Sequence, residues 1–172
     1  MAYFYKVLAN NDGFGQATIQ KLYENAIRQV SDIYALDKGK LMSMGFGEKT
    51  SQNLVEQLIR SRQESVEDWR FLAAFGVQRL GMGNCENLLK HYSLEQVFDL
   101  SVEGIASIEG FAELTAELIF NGLDSIKLQY ENLISGGFEL EKTILVSQTV
   151  QHDNPFQNKK IVFTGTMSQP RA

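Results

Sequence analysis

The sequence predicts an all-α protein of four tandem units, each a short helix, a glycine turn and a second helix. Three observations carry this expectation. A glycine-aromatic-glycine corner recurs at near-constant spacing with matching residues downstream, the signature of a repeat. The 14 glycines stand apart from each other, save Gly136-Gly137, and only two prolines occur, as in helices broken at chosen points. Apolar residues at 44%, charged at 22% and aromatic at 10% are the proportions of a folded globular chain.

The first corner is Asp12-Gly13-Phe14-Gly15 and the second Met44-Gly45-Phe46-Gly47. The third is wider, running Gly76-Val77-Gln78-Arg79-Leu80-Gly81 and followed by Met82-Gly83. The fourth, Glu109-Gly110-Phe111-Ala112, has lost its second glycine. From Gly15 to Gly47 is 32 residues, from Gly47 to Gly81 34, and from Gly81 to Ala112 31. Three residues beyond each anchor stand Thr18, Thr50, Asn84 and Thr115. Four beyond stand Ile19, Ser51, Cys85 and Ala116, and seven beyond Leu22, Leu54, Leu88 and Ile119. The +4 and +7 positions share one helical face, which predicts that the second helix of each unit buries them.

Phe71–Phe75 fits the first helix of unit three. The stretches 32–36 and 93–100 read as short linking helices, and Ser65 or Ser61 as the cap of the helix carrying Trp69. The last helix is expected from about Ala112 to Ile134, stopped by Ser135-Gly136-Gly137. Cys85 is expected in the core, Trp69 between units two and three, and His91 at a helix end on the surface.

A glycine corner at a helix start has a chemistry of its own. The first amides of a helix lack internal partners and carry partial positive charge. Glycine allows a left-handed turn and lets an anion approach without a Cβ in the way. Such corners bind phosphate with few cations. The candidate phosphate-binding residues are Gly13, Gly15, Gln16 and Thr18 in unit one, and Gly45, Gly47, Lys49 and Thr50 in unit two. Unit three adds Gly76, Arg79, Gly81 and Gly83. In unit four Glu109, Glu113 and Glu117 crowd the turn, which is expected to be structural. The competing reading is that the glycines merely terminate helices in a solenoid or bundle.

Charge is divided along the chain. The net charge of −5 excludes a protein that coats nucleic acid by charge alone. Residues 1–90 balance at +1, residues 91–141 at −9 and residues 142–172 at +3. A polyanion is accepted by the first or last part and repelled by the middle. One cysteine and two distant histidines exclude a disulfide framework and a Cys/His metal cluster. No apolar run is long enough to span a membrane, and Met1–Asn10 is too short and polar for a signal peptide, so a cytoplasmic location is expected.

The four-fold pattern resembles a tandem helix-hairpin-helix domain. Residues 71–92 are similar to the third hairpin of bacterial NAD-dependent DNA ligases, residues 11–23 and 31–62 to their first two, and residues 100–120 to the fourth. Lys159-Lys160-Ile161-Val162-Phe163-Thr164-Gly165-Thr166-Met167, with Arg171, is similar to the first strand and turn of the BRCT domain that follows the hairpins in that family. The resemblance implies a helix-hairpin-helix domain over 1–141, a linker over 142–157 rich in Gln, Asn and Asp, and a truncated BRCT start over 158–172.

It also implies that the hairpins clamp nicked duplex DNA through backbone phosphates, without sequence preference. The Lys-x-Asp-Gly motif of the family's nucleophile is absent, as are its nucleotide-binding domain, OB-fold and four-cysteine zinc module. No catalytic residue, metal ligand or cofactor is therefore expected in this chain. NAD, Mg and Zn are implied for the parent ligase. The implied partners are nicked double-stranded DNA and the remaining ligase domains, around a monomer in the bacterial cytoplasm at the nucleoid. The alternatives are a hairpin module of another DNA repair protein and a purely protein-binding helical array.

Overall fold

The structure is a computed structural model that describes residues 3–5 and 12–148. After a 3-10 turn at Asp12–Phe14 come α1 (Gln16–Glu24), α2 (Val30–Tyr34), α3 (Lys38–Ser43) and α4 (Glu48–Gln63). A two-residue strand β1 (Val66–Glu67) leads into α5 (Asp68–Ala74), α6 (Met82–His91), α7 (Leu94–Val97) and α8 (Val102–Ala106). The long α9 (Glu113–Ser135), β2 (Leu140–Glu141) and a 3-10 turn at Val146–Gln148 complete the described chain. The expected BRCT start over 158–172 and the remainder of the linker lie outside the described residues.

The repeat is real in three dimensions. α3 and α4 flank the second corner, α5 and α6 the third, α8 and α9 the fourth, and α1 follows the first. Leu22, Leu54, Leu88 and Ile119, the +7 residues, are all buried. So are Ser51, Cys85 and Ala116 at +4, while Ile19 packs partly buried against the core. The aromatic residues of corners one, two and four pack into the core, Phe46 only partly. Phe14 is buried and stacks on Tyr5 at 4.4 Å between ring centroids, and Phe111 is buried.

The linking helices are α2 and α7. α2 begins two residues earlier than expected, because Asp32 accepts the Gln29 amide at 2.9 Å and starts the helix there. α7 ends at Val97, earlier than expected. Neither serine caps α5, whose N-cap is Glu67 without a side-chain bond. Ser61 is buried in α4, where its hydroxyl bonds the Tyr34 hydroxyl at 2.8 Å and the Leu58 carbonyl at 2.9 Å. Trp69 lies partly buried against the core, and Cys85 is fully inside, with burial pushing its thiol up to about 12.

The end of the chain returns to its middle. β2 pairs in parallel with β1, Val66 opposite Leu140. Asp68, buried at the start of α5, accepts the Thr143 amide at 2.9 Å and the Thr143 hydroxyl. Of the stretch read as a linker, residues 142–148 are described, and Thr143 in it is fastened to the fold.

Candidate nucleic-acid interface

Two kinds of glycine build the corners. Gly45, Gly76 and Gly110 have φ of +83°, +68° and +97°, a region where a side chain strains the backbone. They reverse the chain after the first helix of units two, three and four. Gly15, Gly47 and Gly81 are the N-caps of α1, α4 and α6, with φ of −66°, −65° and −74° and extended ψ. Any residue adopts that backbone. A Cβ added at Gly15, Gly47 or Gly81 would meet nothing within 4 Å. Among the described residues neither backbone conformation nor packing demands glycine at these three positions.

Capping chemistry sharpens the point. Some other helices, although not α5 and α9, are capped by side chains: Asp37 accepts the Lys40 amide at 2.8 Å, and Ser101 accepts the Gly104 amide at 3.1 Å. Ser93 and Gln96 cap α7 reciprocally. The starts of α1, α4 and α6 have no side-chain cap, and all three N-cap glycines are exposed. Their first-turn amides face open space at the positive end of the helix dipole. Gln16 is exposed as the first residue of α1, and Lys49 as the second of α4. Gly83 is exposed as the second residue of α6. Thr18 and Thr50 are the third residues of α1 and α4, half-buried and exposed respectively.

Gly13 differs from the other first glycines. It has no positive φ, and a Cβ there would come within 2.9 Å of three atoms of the Gln57 side chain. The flexible end of the Gln57 side chain, from α4, lies directly over this glycine.

The cations follow the corners. Lys49 and Arg79 are exposed and stand in no ion pair among the described residues, whereas Lys90 pairs with Glu86 at 2.8 Å and Lys127 with Asp99 at 3.0 Å. Glu48, beside the second corner, is engaged by Lys38 at 2.9 Å. That bond holds its carboxyl below the usual carboxylate range and offsets its charge near the corner. Lys21 is a corner residue that sequence reasoning missed. Its ammonium donates to the Gly45 carbonyl and lies 4.5 Å from the centre of the Phe46 ring. Six residues after its own anchor Asn87 does the same in the second half, donating to the Glu109 carbonyl at 2.9 Å. The polar residue shared by Lys21 and Asn87 at the +6 position was the available signal.

The third corner is widened by a tight turn, with Leu80 donating to the Val77 carbonyl at 3.0 Å. Inside it Arg79 has φ +66°, and Asn84 donates to its carbonyl at 2.7 Å. The fourth corner ends in Ala112 and exposes Glu109, Glu113 and Glu117, with no cation bonded to it. Three corners thus have an uncapped glycine at the helix start, and the fourth has alanine there with exposed carboxylates around it. Among the described residues no cluster of three or more His, Cys, Asp or Glu side chains suits a metal ion, and no helix is long and apolar enough to cross a membrane.

Residues 5–59 match the family model of a SAM-like helix-hairpin-helix tandem. The chain is 58% identical over 173 residues to a protein named DNA ligase from Ruthia magnifica subsp. Calyptogena magnifica, an alignment covering 99% of this chain and 28% of the relative. It is 47% identical to the DNA ligase of Psychromonas ingrahamii over 98% of this chain and 26% of the relative. To the DNA ligase of Oenococcus oeni it is 34% identical, over 92% of this chain and 23% of the relative. The chain spans about a quarter of the length of the curated relatives it matches.

Proposed function

Because this chain is a fragment of a DNA ligase with a helix-hairpin-helix tandem near its start, we propose that it grips nicked duplex DNA through backbone phosphates while other parts of the ligase join the strands. One observation carries the reading. The three N-cap glycines Gly15, Gly47 and Gly81 are exposed and uncapped, and among the described residues neither φ nor packing requires glycine there.

A phosphate oxygen placed against such a corner accepts hydrogen bonds from the first-turn amides and meets the positive end of the helix dipole. A side chain at the anchor would stand in its way. Lys49 and Arg79, free of carboxylate partners among the described residues, add point charges beside two of the corners. Lys21 and Asn87 bind outward-facing carbonyls and mask their negative ends. This is how a chain of net charge −5 holds a polyanion. Contacts of this kind position a protein on the duplex and carry no base code.

In the proposed whole enzyme NAD would supply an adenylyl group to the ligase with release of nicotinamide mononucleotide, the AMP would pass to the 5′-phosphate of the nick, and the 3′-hydroxyl would join that phosphate as AMP leaves. The residues of this chain hold the duplex during those steps and supply no reacting group. The fourth corner, acidic and without its second glycine, stays off the phosphates.

Titration of the 172-residue chain with a nicked duplex at several salt concentrations tests the reading. The association constant is expected to fall with salt, with a logarithmic slope of about −2 if Lys49 and Arg79 each neutralise one phosphate. Gly15→Val combined with Gly47→Val is expected to weaken binding at least about tenfold while far-UV circular dichroism stays unchanged. Equal affinity of parent and double variant overturns the assignment of these corners. A chain that binds no duplex at any salt concentration is a protein-binding array instead.

A further inference from the structure

Val77, Gln78, Arg79 and Leu80 form a four-residue turn closed by the Leu80 amide on the Val77 carbonyl at 3.0 Å. Its third residue is left-handed, a place where such turns favour glycine or asparagine. Arginine stands there instead, at φ +66°. Among the described residues only Ala26 and Arg79 combine a positive φ with a side chain. An unfavourable backbone kept for a charged, exposed side chain calls for something that holds it and something that uses it.

Asn84 holds it. The other three units have threonine at this position, Thr18, Thr50 and Thr115. The unit whose corner is widened has asparagine, and its amide reaches back five residues to the Arg79 carbonyl at 2.7 Å. The bond ties the turn to the first turn of α6, so the backbone of Arg79 and the uncapped amides of α6 form one rigid body. It also masks the carbonyl whose negative end would otherwise lie beside an incoming phosphate. The Arg79 side chain is exposed and stands in no ion pair among the described residues.

We infer that Asn84 is a positioning residue: it locks Arg79 in its left-handed conformation and so aims the guanidinium at the phosphate received by the third corner. This rests on the phosphate-grip reading proposed above and assigns to the third corner a preset arginine in place of a glycine.

A double-mutant cycle on nicked-duplex binding tests it, with the salt slope as a second readout. Arg79→Gly suits the φ of the turn and removes the charge, so the slope is expected to drop by about one. Asn84→Ala in the parent is expected to weaken binding roughly three- to tenfold and to lower the slope by nearly as much, because the guanidinium loses its aim. In the Arg79→Gly background Asn84→Ala is expected to change neither affinity nor slope. Asn84→Ser, too short to span to Arg79, repeats the comparison should the alanine variant lose helical content.

Loss of affinity on Asn84→Ala in the Arg79→Gly background overturns the inference, since Asn84 then contacts DNA itself. Unchanged binding and slope for Asn84→Ala in the parent overturns it as well, with the phosphate grip intact. A parent chain that binds no duplex overturns both.

Discussion

Gly122, in the middle of α9, lies so close to Val77 in the third corner that a Cβ added to it would come within 2.3 Å of Val77 Cγ1. The first half of the molecule makes the same contact with the sizes exchanged. There Gln57, ten residues after its N-cap glycine as Gly122 is after Ala112, presses against Gly13 of the first corner. In both halves the second helix of the later unit seats the corner of the earlier one. Units one and two therefore pack as one pair, and units three and four as another.

Gly122→Ala is expected to destabilise the fold despite the better helix propensity of alanine. The gain of about 1 kcal/mol in the helix is outweighed by overpacking against a stiff, buried valine, which costs about 1–3 kcal/mol. Val77→Ala should restore most of the loss in the double variant. Urea denaturation of the four proteins measures the coupling. Additive effects would show that α9 does not seat the corner in this way.

Local pattern revealed the units, and tertiary contact hid what joins them. The +4 and +7 residues were legible because helical periodicity places them on one face, and they are buried from Leu22 to Ile119. The N-cap corners were legible because glycine without a packing partner is conspicuous in a repeat. The approach of Gln57 to Gly13, 44 positions away, left no trace in the pattern. Lys21 on Gly45, Asn87 on Glu109 and Thr143 on Asp68 join residues 22 to 75 positions apart, and periodicity carries no trace of them. Ser61 was read as a cap because serine commonly caps, yet Tyr34 had claimed its hydroxyl from the other side of the core.

The two kinds of glycine separate by stability. Gly45→Ala forces a Cβ into φ +83° and is expected to cost about 1–2 kcal/mol. Gly47→Ala enters open space at an ordinary φ and is expected to cost only the poorer N-capping of alanine, about 0.5 kcal/mol. Thermal melts of the two variants decide it. A larger loss for Gly47→Ala than for Gly45→Ala contradicts the geometry of the corner.

A chain ending at residue 141 should be less stable than one ending at 148. The shorter chain removes Thr143 and leaves the buried Asp68 carboxylate without two of its donors. An unsatisfied buried acceptor costs about 1–3 kcal/mol, and more when charged. Thr143→Val in the longer chain removes the hydroxyl bond alone and is expected to lose part of that amount. Equal denaturation midpoints for the two lengths would place the boundary of the folded unit at 141.

Alkaline pH is expected to loosen the core before it affects the corners. Burial pushes Tyr34, Tyr130 and the Cys85 thiol up to about 12 and raises Tyr5 as well. Their ordinary values are 10.0 for tyrosine and 9.0 for cysteine. Below pH 9 these groups are protonated in both the folded and unfolded states, so their stabilisation is fully present. Between the ordinary and the raised values the unfolded chain gives up protons that the folded one keeps. Stability therefore falls with rising pH through that window, as the folded state binds more protons. Calorimetric melts from pH 8 to pH 12 should show the melting temperature declining above pH 9. Cys85→Ala with Tyr34→Phe should flatten part of the decline, although the Tyr34 change also removes the bond to Ser61 and lowers the whole curve. A melting temperature constant to pH 12 would mean that these groups are accessible to water in the folded protein.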